Sequence, residues 1–112
     1  MLTLVEETDT LAIVALSGRL DSLAARELQP ELESLVHSGR RFLVLDFAAV
    51  TLLASSGLRL LIILHAACQR TEGAMVLAAV PKPVTVVLEL SGFAPHFKCY
   101  PDAADARAAL AG

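Results

Sequence analysis

A six-residue run near the middle of the chain, Phe42–Phe47 with the sequence FLVLDF, constrains the fold more than any other segment. The run is apolar without alternation until it reaches Asp46. A strand that is apolar on both faces is typical of the interior of a sheet, where it is reached through a crossover from a preceding helix. The run therefore predicts the central strand of an α/β fold.

Two short runs at the start of the chain predict a β-hairpin. Residues 3–8 and 11–17 are rich in Leu, Val, Ile and Thr, which favour strands. Asp9 and Thr10 lie between them and suit a turn. We expect the chain to open with two antiparallel strands.

The segment that follows the hairpin predicts a long helix. Asp21 or Ser22 can accept hydrogen bonds from the free amide groups at a helix start. Apolar residues then recur at roughly helical spacing, at Leu23, Leu28, Leu32, Leu35 and Val36. Because Pro30 removes one helical hydrogen bond, we expect a kink or a split near residues 28–29, with the segment ending at Gly39 as a C-terminal cap.

Helices and strands alternate over the rest of the chain. The predicted elements are a helix from Ser55 or Ser56 to about Arg70, a strand at 74–80, a helix at 81–92, a short strand at 97–100 and a helix at 102–111. The order β-β-α-β-α-β-α-β-α predicts one α/β domain over residues 1–112, with a small mixed sheet and helices packed mainly on one face.

Composition and charge exclude several classes of function. The formal net charge is -3 and no basic cluster occurs, so we expect no binding to nucleic acid. No uncharged apolar run reaches the ~20 residues that span a bilayer, and no signal peptide is evident, so we expect a cytoplasmic protein without direct membrane insertion. Cys68 and Cys99 have neither metal-ligand nor redox spacing. We therefore expect no metal site.

Two adjacent hydroxyl groups, on Ser55 and Ser56, interrupt the apolar sequence where a helix is predicted to begin. One of them, Ser56 by preference, is expected to cap that helix, which contributes about 0.5–2 kcal/mol relative to alanine. A nucleophilic serine is the alternative, but Ala54 and Leu58 stand where the G-x-S-x-G pattern of hydrolases requires glycine. No histidine is spaced as a catalytic base, so we do not expect serine hydrolysis.

Phosphorylation would give the other hydroxyl a role. A phosphoserine adds about -1.5 to -2 charges, which the amide groups and dipole of a helix N-terminus tolerate. Arg59 lies four residues after Ser55 on the same helix face, where it is either a phosphate ligand or a solvated surface residue. Ile63 continues this ridge and offers an apolar contact. Ser55 is the expected phosphorylation site, with Ser56 as the second choice.

Several short motifs occur in an order that spans nearly the whole chain. They are Gly18–Asp21, the strand Leu43–Asp46 followed by Phe47–Thr51, the serine motif Ser55–Leu58, the pair Gly92–Phe93 and the segment Tyr100–Ala103. In these motifs the sequence resembles the STAS domain family of anti-sigma factor antagonists. The serine motif after an aspartate-ended strand is the most specific part, and the predicted element order agrees with that family's fold.

The resemblance implies partner switching. An unmodified domain binds an anti-sigma factor that is also a serine kinase and so frees a sigma factor. Phosphorylation, here at Ser55, dissociates the complex, and a cognate phosphatase reverses the modification. The nucleotide belongs to the kinase, so the resemblance implies that this domain is not itself an enzyme and needs no cofactor. Asp21 matches a position near the family's binding surface. The expected partner-binding residues are Asp21, Ser55, Ser56, Gly57, Arg59 and Ile63.

One residue departs from the family pattern. The family usually has aspartate directly before the first serine, where this chain has Ala54. The change removes a negative charge and a hydrogen-bond acceptor beside Ser55. It leaves open a second function, that of a binding module without phosphorylation. Such a module would be an accessory subunit of a phospholipid-transport ABC complex or part of a sensory assembly, with a transporter ATPase or a scaffold as its partner.

Overall fold

The computed structural model describes residues 2–111, which form strands and helices in the predicted order. The strands are β1 (Leu2–Glu7), β2 (Leu11–Leu20), β3 (Phe42–Leu53), β4 (Ala74–Ala78) and β5 (Cys99–Tyr100). The helices are α1 (Ser22–His37), α2 (Ser55–Arg70), α3 (Lys82–Ser91) and α4 (Ala103–Ala111), and a 3-10 turn at Ala94–His96 precedes β5.

The strands form one mixed sheet in the order β1-β2-β3-β4-β5. β1 is antiparallel to β2, and every other neighbouring pair is parallel. β3 lies at the centre, where Leu43, Val44 and Leu45 are fully buried. The prediction of a central strand buried on both faces is confirmed.

Three helices cover one face of this sheet, and the fourth covers the other. α1, α2 and α3 share a core with Val14, Leu45 and Leu77. On the opposite face, α4 packs through Ala106 into a smaller cluster that contains Val44. The predicted arrangement, a small mixed sheet with helices mainly on one face, is confirmed.

β2 and β3 extend farther than the sequence predicts. The pairing of β3 with β4 runs from Phe42 to Asp46, whereas its pairing with β2 continues until Leu53 lies opposite Leu20. Asp46 does not end the strand. Its Oδ1 accepts a hydrogen bond from the Ala48 amide at 2.9 Å, where the register between β2 and β3 shifts by a bulge. The two strands therefore project together beyond β4.

Pro30 lies inside α1 without dividing it. Of the two expected outcomes, a kink or a split near residues 28–29, the split is wrong, because one helix runs from Ser22 to His37. Pro30 is exposed, so its ring lies on the solvent side of the helix, which lacks one backbone hydrogen bond at this residue. Gly39 follows the C-cap residue Ser38 at φ +107, which confirms the predicted glycine at the end of this helix.

The segment after β4 has strand-favouring residues but is helical, as expected. α3 begins after Pro81 and ends before Gly92, whose φ is +81. Pro83 lies in the first turn of α3, where backbone amides have no partner within the helix. In the interior of a strand the same residue would remove a hydrogen bond from the sheet. β5, predicted over residues 97–100, is confined to Cys99–Tyr100.

Candidate functional site

The extended ends of β2 and β3 bring two helix starts together. Leu20 and Leu53 are paired across the strands, and each is followed by one residue and then by a helix. Asp21 leads into α1, and Ala54 leads into α2. The Ala54 amide donates to the Leu20 carbonyl at 3.0 Å, which fixes the two junctions side by side. Asp21 and Ser55, far apart in sequence, thus lie at one edge of the molecule.

Gly57 lies beneath this edge. A Cβ on Gly57 would lie 2.6 Å from the carbonyl oxygen of Leu20 and 2.8 Å from Cδ1 of Leu53. The first turn of α2 therefore rests directly on the strand ends, and any side chain would push it outward. Gly57, which the sequence placed among the partner-binding residues, is buried and sets the position of the residues around it.

The two helices at this edge differ in their caps. Asp21 caps α1, since its Oδ1 accepts a hydrogen bond from the Ala24 amide at 3.1 Å. In the described chain α2 has no side-chain cap, because its N-cap residue is Ala54. The expectation that Ser56 caps α2 is wrong. Ser55 and Ser56 already belong to the first turn, whereas a capping side chain must stand on the extended residue before the helix.

The two serines face different surroundings. Ser55 is exposed, whereas Ser56 is half-buried and lines a groove of about 330 Å³ between α1 and α2. Arg59 and Ile63 line the same groove at helical spacing from Ser56. The sequence predicted a ridge of Ser55, Arg59 and Ile63, whereas the serine that lines the groove with Arg59 and Ile63 is Ser56.

The sequence did not indicate several residues near this site. From α1, Ser22, Arg26 and Gln29 line the groove. Leu23, which the sequence analysis counted among the apolar residues at helical spacing, is 63% exposed. The buried positions of α1 are Ala25, Leu28, Leu32 and Val36. Leu23 stands five residues before Leu28, which is off that stripe, and this spacing is the signal that could have identified it.

Other chemically active side chains do not form a site. Among residues 2–111, no group of three or more His, Cys, Asp or Glu side chains could hold a metal ion. Burial raises the pKa of the Cys68 thiol to about 11, so this thiol is neutral and unreactive at pH 7. His65 packs edge-on against Phe97, with ring centroids 5.5 Å apart.

The part of the chain that the structure describes, residues 2–111, contains no helix with the length and apolar character needed to cross a membrane.

Comparison with known proteins places this geometry in a family. The family model described as the STAS domain matches residues 3–106. A protein named as an anti-sigma factor antagonist, BtrV of Bordetella bronchiseptica, is 32% identical over 88 residues, which are 79% of this chain and 76% of BtrV.

Solved structures are similar over most of their length. The structure of an anti-sigma factor antagonist from Mycobacterium paratuberculosis has a TM-score of 0.81 and 28% identity, and the match covers 100% of this chain and 96% of that one. SpoIIAA in its unphosphorylated form has a TM-score of 0.78 and 20% identity, with 88% of this chain and 87% of that chain covered. Phosphorylated SpoIIAA, from Bacillus, has a TM-score of 0.71 and 18% identity over 88% of this chain and 90% of that chain. The fold, the family model and the relative agree, and the chain belongs to the STAS domain family.

Proposed function

We propose that this protein is an anti-sigma factor antagonist that acts by partner switching. In its unmodified form it binds an anti-sigma factor that is also a serine kinase, and a sigma factor is released. Phosphorylation of Ser55 ends the complex, and a cognate phosphatase restores the binding form. The name of the relative BtrV supports the class of function. The protein would act in the cytoplasm, as a single domain and without a cofactor of its own.

The observation that carries this proposal is the exposure of Ser55 at the first position of α2. A kinase can reach its hydroxyl without unfolding the helix. In the transfer, Oγ of Ser55 forms a bond to the γ-phosphorus of ATP held by the kinase. The bond to ADP breaks, and the hydroxyl proton passes to a base on the kinase.

A phosphate on Ser55 would disturb a partly apolar edge. Leu23, in the first turn of α1, is 63% exposed, and Leu52, near the end of β3, is 37% exposed. Burying these side chains against a partner is favourable, but a phosphate of about -1.5 to -2 charges would then be desolvated beside them. The amide groups at the start of α2 stabilise the same charge when the protein is free. Phosphorylation would therefore favour the free protein over the complex.

Affinity capture from native extract tests the proposal, with wild type, Ser55→Asp and Ser55→Ala side by side. We expect wild type and Ser55→Ala to retain one anti-sigma factor, and Ser55→Asp to lose it. Ser34→Asp is the matched control, since Ser34 is an exposed serine toward the other end of α1. Incubating the purified pair with ATP should add one phosphate to wild type by intact mass. Equal capture by Ser55→Asp and Ser55→Ala, or no phosphate on Ser55 or Ser56, would contradict the switch.

A second function is favoured by one observation, the missing side-chain cap at Ala54. Ala54 offers no carboxylate that could accept a hydrogen bond from Ser55 or from a kinase. If Ser55 is not phosphorylated, the protein would be a constitutive binding subunit of a transport complex or a sensory assembly. Its partner would then be a transporter ATPase or a scaffold. A stable complex with such a partner that survives Ser55→Asp would favour this function over the switch.

A further inference from the structure

The groove between α1 and α2 carries positive charge that nothing in the described chain neutralises. Arg26 lies on the α1 wall and Arg59 on the α2 wall. Neither guanidinium forms an ion pair with any of residues 2–111. Arg41 and Arg70 also form no ion pair with these residues, whereas Arg40 pairs with Glu7 at 2.8 Å and Arg107 pairs with Glu6. Arg26 and Arg59 differ from these other unpaired arginines because they line the same groove, in a chain whose net charge is -3.

The remaining lining of the groove contains neutral hydrogen-bonding groups and an apolar base. Ser22 and Gln29 stand beside Arg26, and Ala25, Leu60 and Ile63 supply apolar surface. No acidic side chain lines the groove within the described residues. Guanidinium groups form strong, charge-assisted hydrogen bonds with carboxylates and phosphates, and bind both in two-point contacts. The apolar base suits the methylene groups that carry a carboxylate.

We propose that this groove receives an acidic side chain, Asp or Glu, of the partner protein, held between Arg26 and Arg59. The proposal rests on the proposed function and adds a recognition site to the phosphorylation switch at Ser55. Because the two like charges repel each other in the free protein, a carboxylate between them relieves that repulsion as it binds. The groove begins at Ser22 and Ser56, in the first turns of the two helices, so it is continuous with the edge that carries Ser55.

Charge reversal at the groove tests the proposal by isothermal titration calorimetry against the purified anti-sigma factor identified by capture. We expect Arg26→Glu and Arg59→Glu each to weaken binding by about tenfold or more, because each places a like charge against the incoming carboxylate. Arg70→Glu is the matched control, since Arg70 is an exposed arginine at the other end of α2. It should change the affinity by less than about threefold. Thermal melts of all three variants should show that the fold is retained.

The dependence of the partner affinity on salt concentration is a second measurement. A loss of folding would lower the affinity but would not change this dependence. The affinity of wild type should fall as NaCl rises, and the double variant Arg26→Gln, Arg59→Gln should show a shallower fall. Suppose that wild type binds the anti-sigma factor and that both Arg26→Glu and Arg59→Glu bind it with the affinity of wild type. The groove proposal is then overturned and the proposed function stands. If wild type binds no anti-sigma factor, both are overturned.

A small anion is the other possible occupant, and inorganic phosphate is the probe for it. Titration of wild type with phosphate, followed by the NMR signals of the arginine Nε–H groups, should give only weak binding. Tight phosphate binding together with an unchanged partner affinity in the arginine variants would overturn the proposal.

Discussion

Gly57 packs so closely against Leu20 that a Cβ on Gly57 would lie 2.6 Å from the Leu20 carbonyl oxygen. The neighbouring atom belongs to the backbone of β2, which is held in the sheet and cannot move aside at low cost. Gly57 directly follows Ser55 and Ser56, so its contact with β2 fixes the position of the N-terminus of α2 and of both serines.

This contact predicts that Gly57→Ala destabilises the protein. Alanine is the better helix former by about 1 kcal/mol, but the overlap with Leu20 should cost more, for a net loss of about 1–3 kcal/mol in the free energy of unfolding. Urea denaturation followed by circular dichroism measures this. Ala66→Gly on the same helix is the control, because it changes helix propensity without creating an overlap. Unchanged or increased stability of Gly57→Ala would show that α2 can shift outward freely.

The missing cap at Ala54 predicts that Ala54→Asp stabilises the protein. A carboxylate on this extended residue can accept an amide hydrogen bond from the first turn of α2, as Asp21 does for α1. We expect a gain of about 0.5–2 kcal/mol in the free energy of unfolding. Ala54→Asn separates the hydrogen bond from the charge and should give a similar gain. No gain from either substitution would mean that solvent already satisfies those amides equally well.

Asp21 has a structural role that can be separated from partner binding. Asp21→Ala should lower the free energy of unfolding by about 0.5–2 kcal/mol, because the Ala24 amide loses its acceptor. Asp21→Asn keeps the cap and should retain nearly all of the stability. Partner affinity of Asp21→Asn then reports the carboxylate alone. A loss of affinity in this stable variant would identify Asp21 as a contact, whereas unchanged affinity would leave it as a cap.

Ile63 and Leu64 should respond differently to truncation. Leu64 is fully buried in the core under α2, so Leu64→Ala should cost about 2–5 kcal/mol in the free energy of unfolding. Ile63 is half-buried at the groove, so Ile63→Ala should cost less than Leu64→Ala and should weaken the complex with the anti-sigma factor. Equal destabilisation by the two substitutions would show that Ile63 belongs to the core.

The buried thiol of Cys68 predicts a loss of stability in alkali. Burial raises its pKa from 9.0 to about 11, so the thiol stays neutral in the folded protein while the unfolded chain ionises. Ionisation of the unfolded chain alone favours unfolding. The free energy of unfolding is therefore unaffected below pH 9 and falls by about 1.4 kcal/mol per pH unit between pH 9 and pH 11. Urea denaturation between these pH values measures the slope. Cys68→Ala should reduce that slope, and an identical slope in the variant would contradict the assignment.

The sequence determined the order of the elements because local hydrogen bonding and burial leave a pattern within a few residues. The unbroken run Phe42–Phe47 identified the central strand, and Pro83 with Gly92 identified α3 despite its β-branched residues. The double serine located the start of α2. Each of these signals depends on the neighbours of a residue along the chain, which the sequence shows directly.

Only the tertiary structure decided how the site is built. The pairing of Leu20 with Leu53 carries β2 and β3 past β4 and makes Ala54 the N-cap of α2, so that Ser56 enters the groove and Ser55 remains exposed. The packing of α1 on α2 puts Arg26 in the same groove as Arg59. Such placements depend on strand register and helix packing between distant segments. The sequence of one segment contains no periodic pattern that indicates which residue of the other segment it contacts.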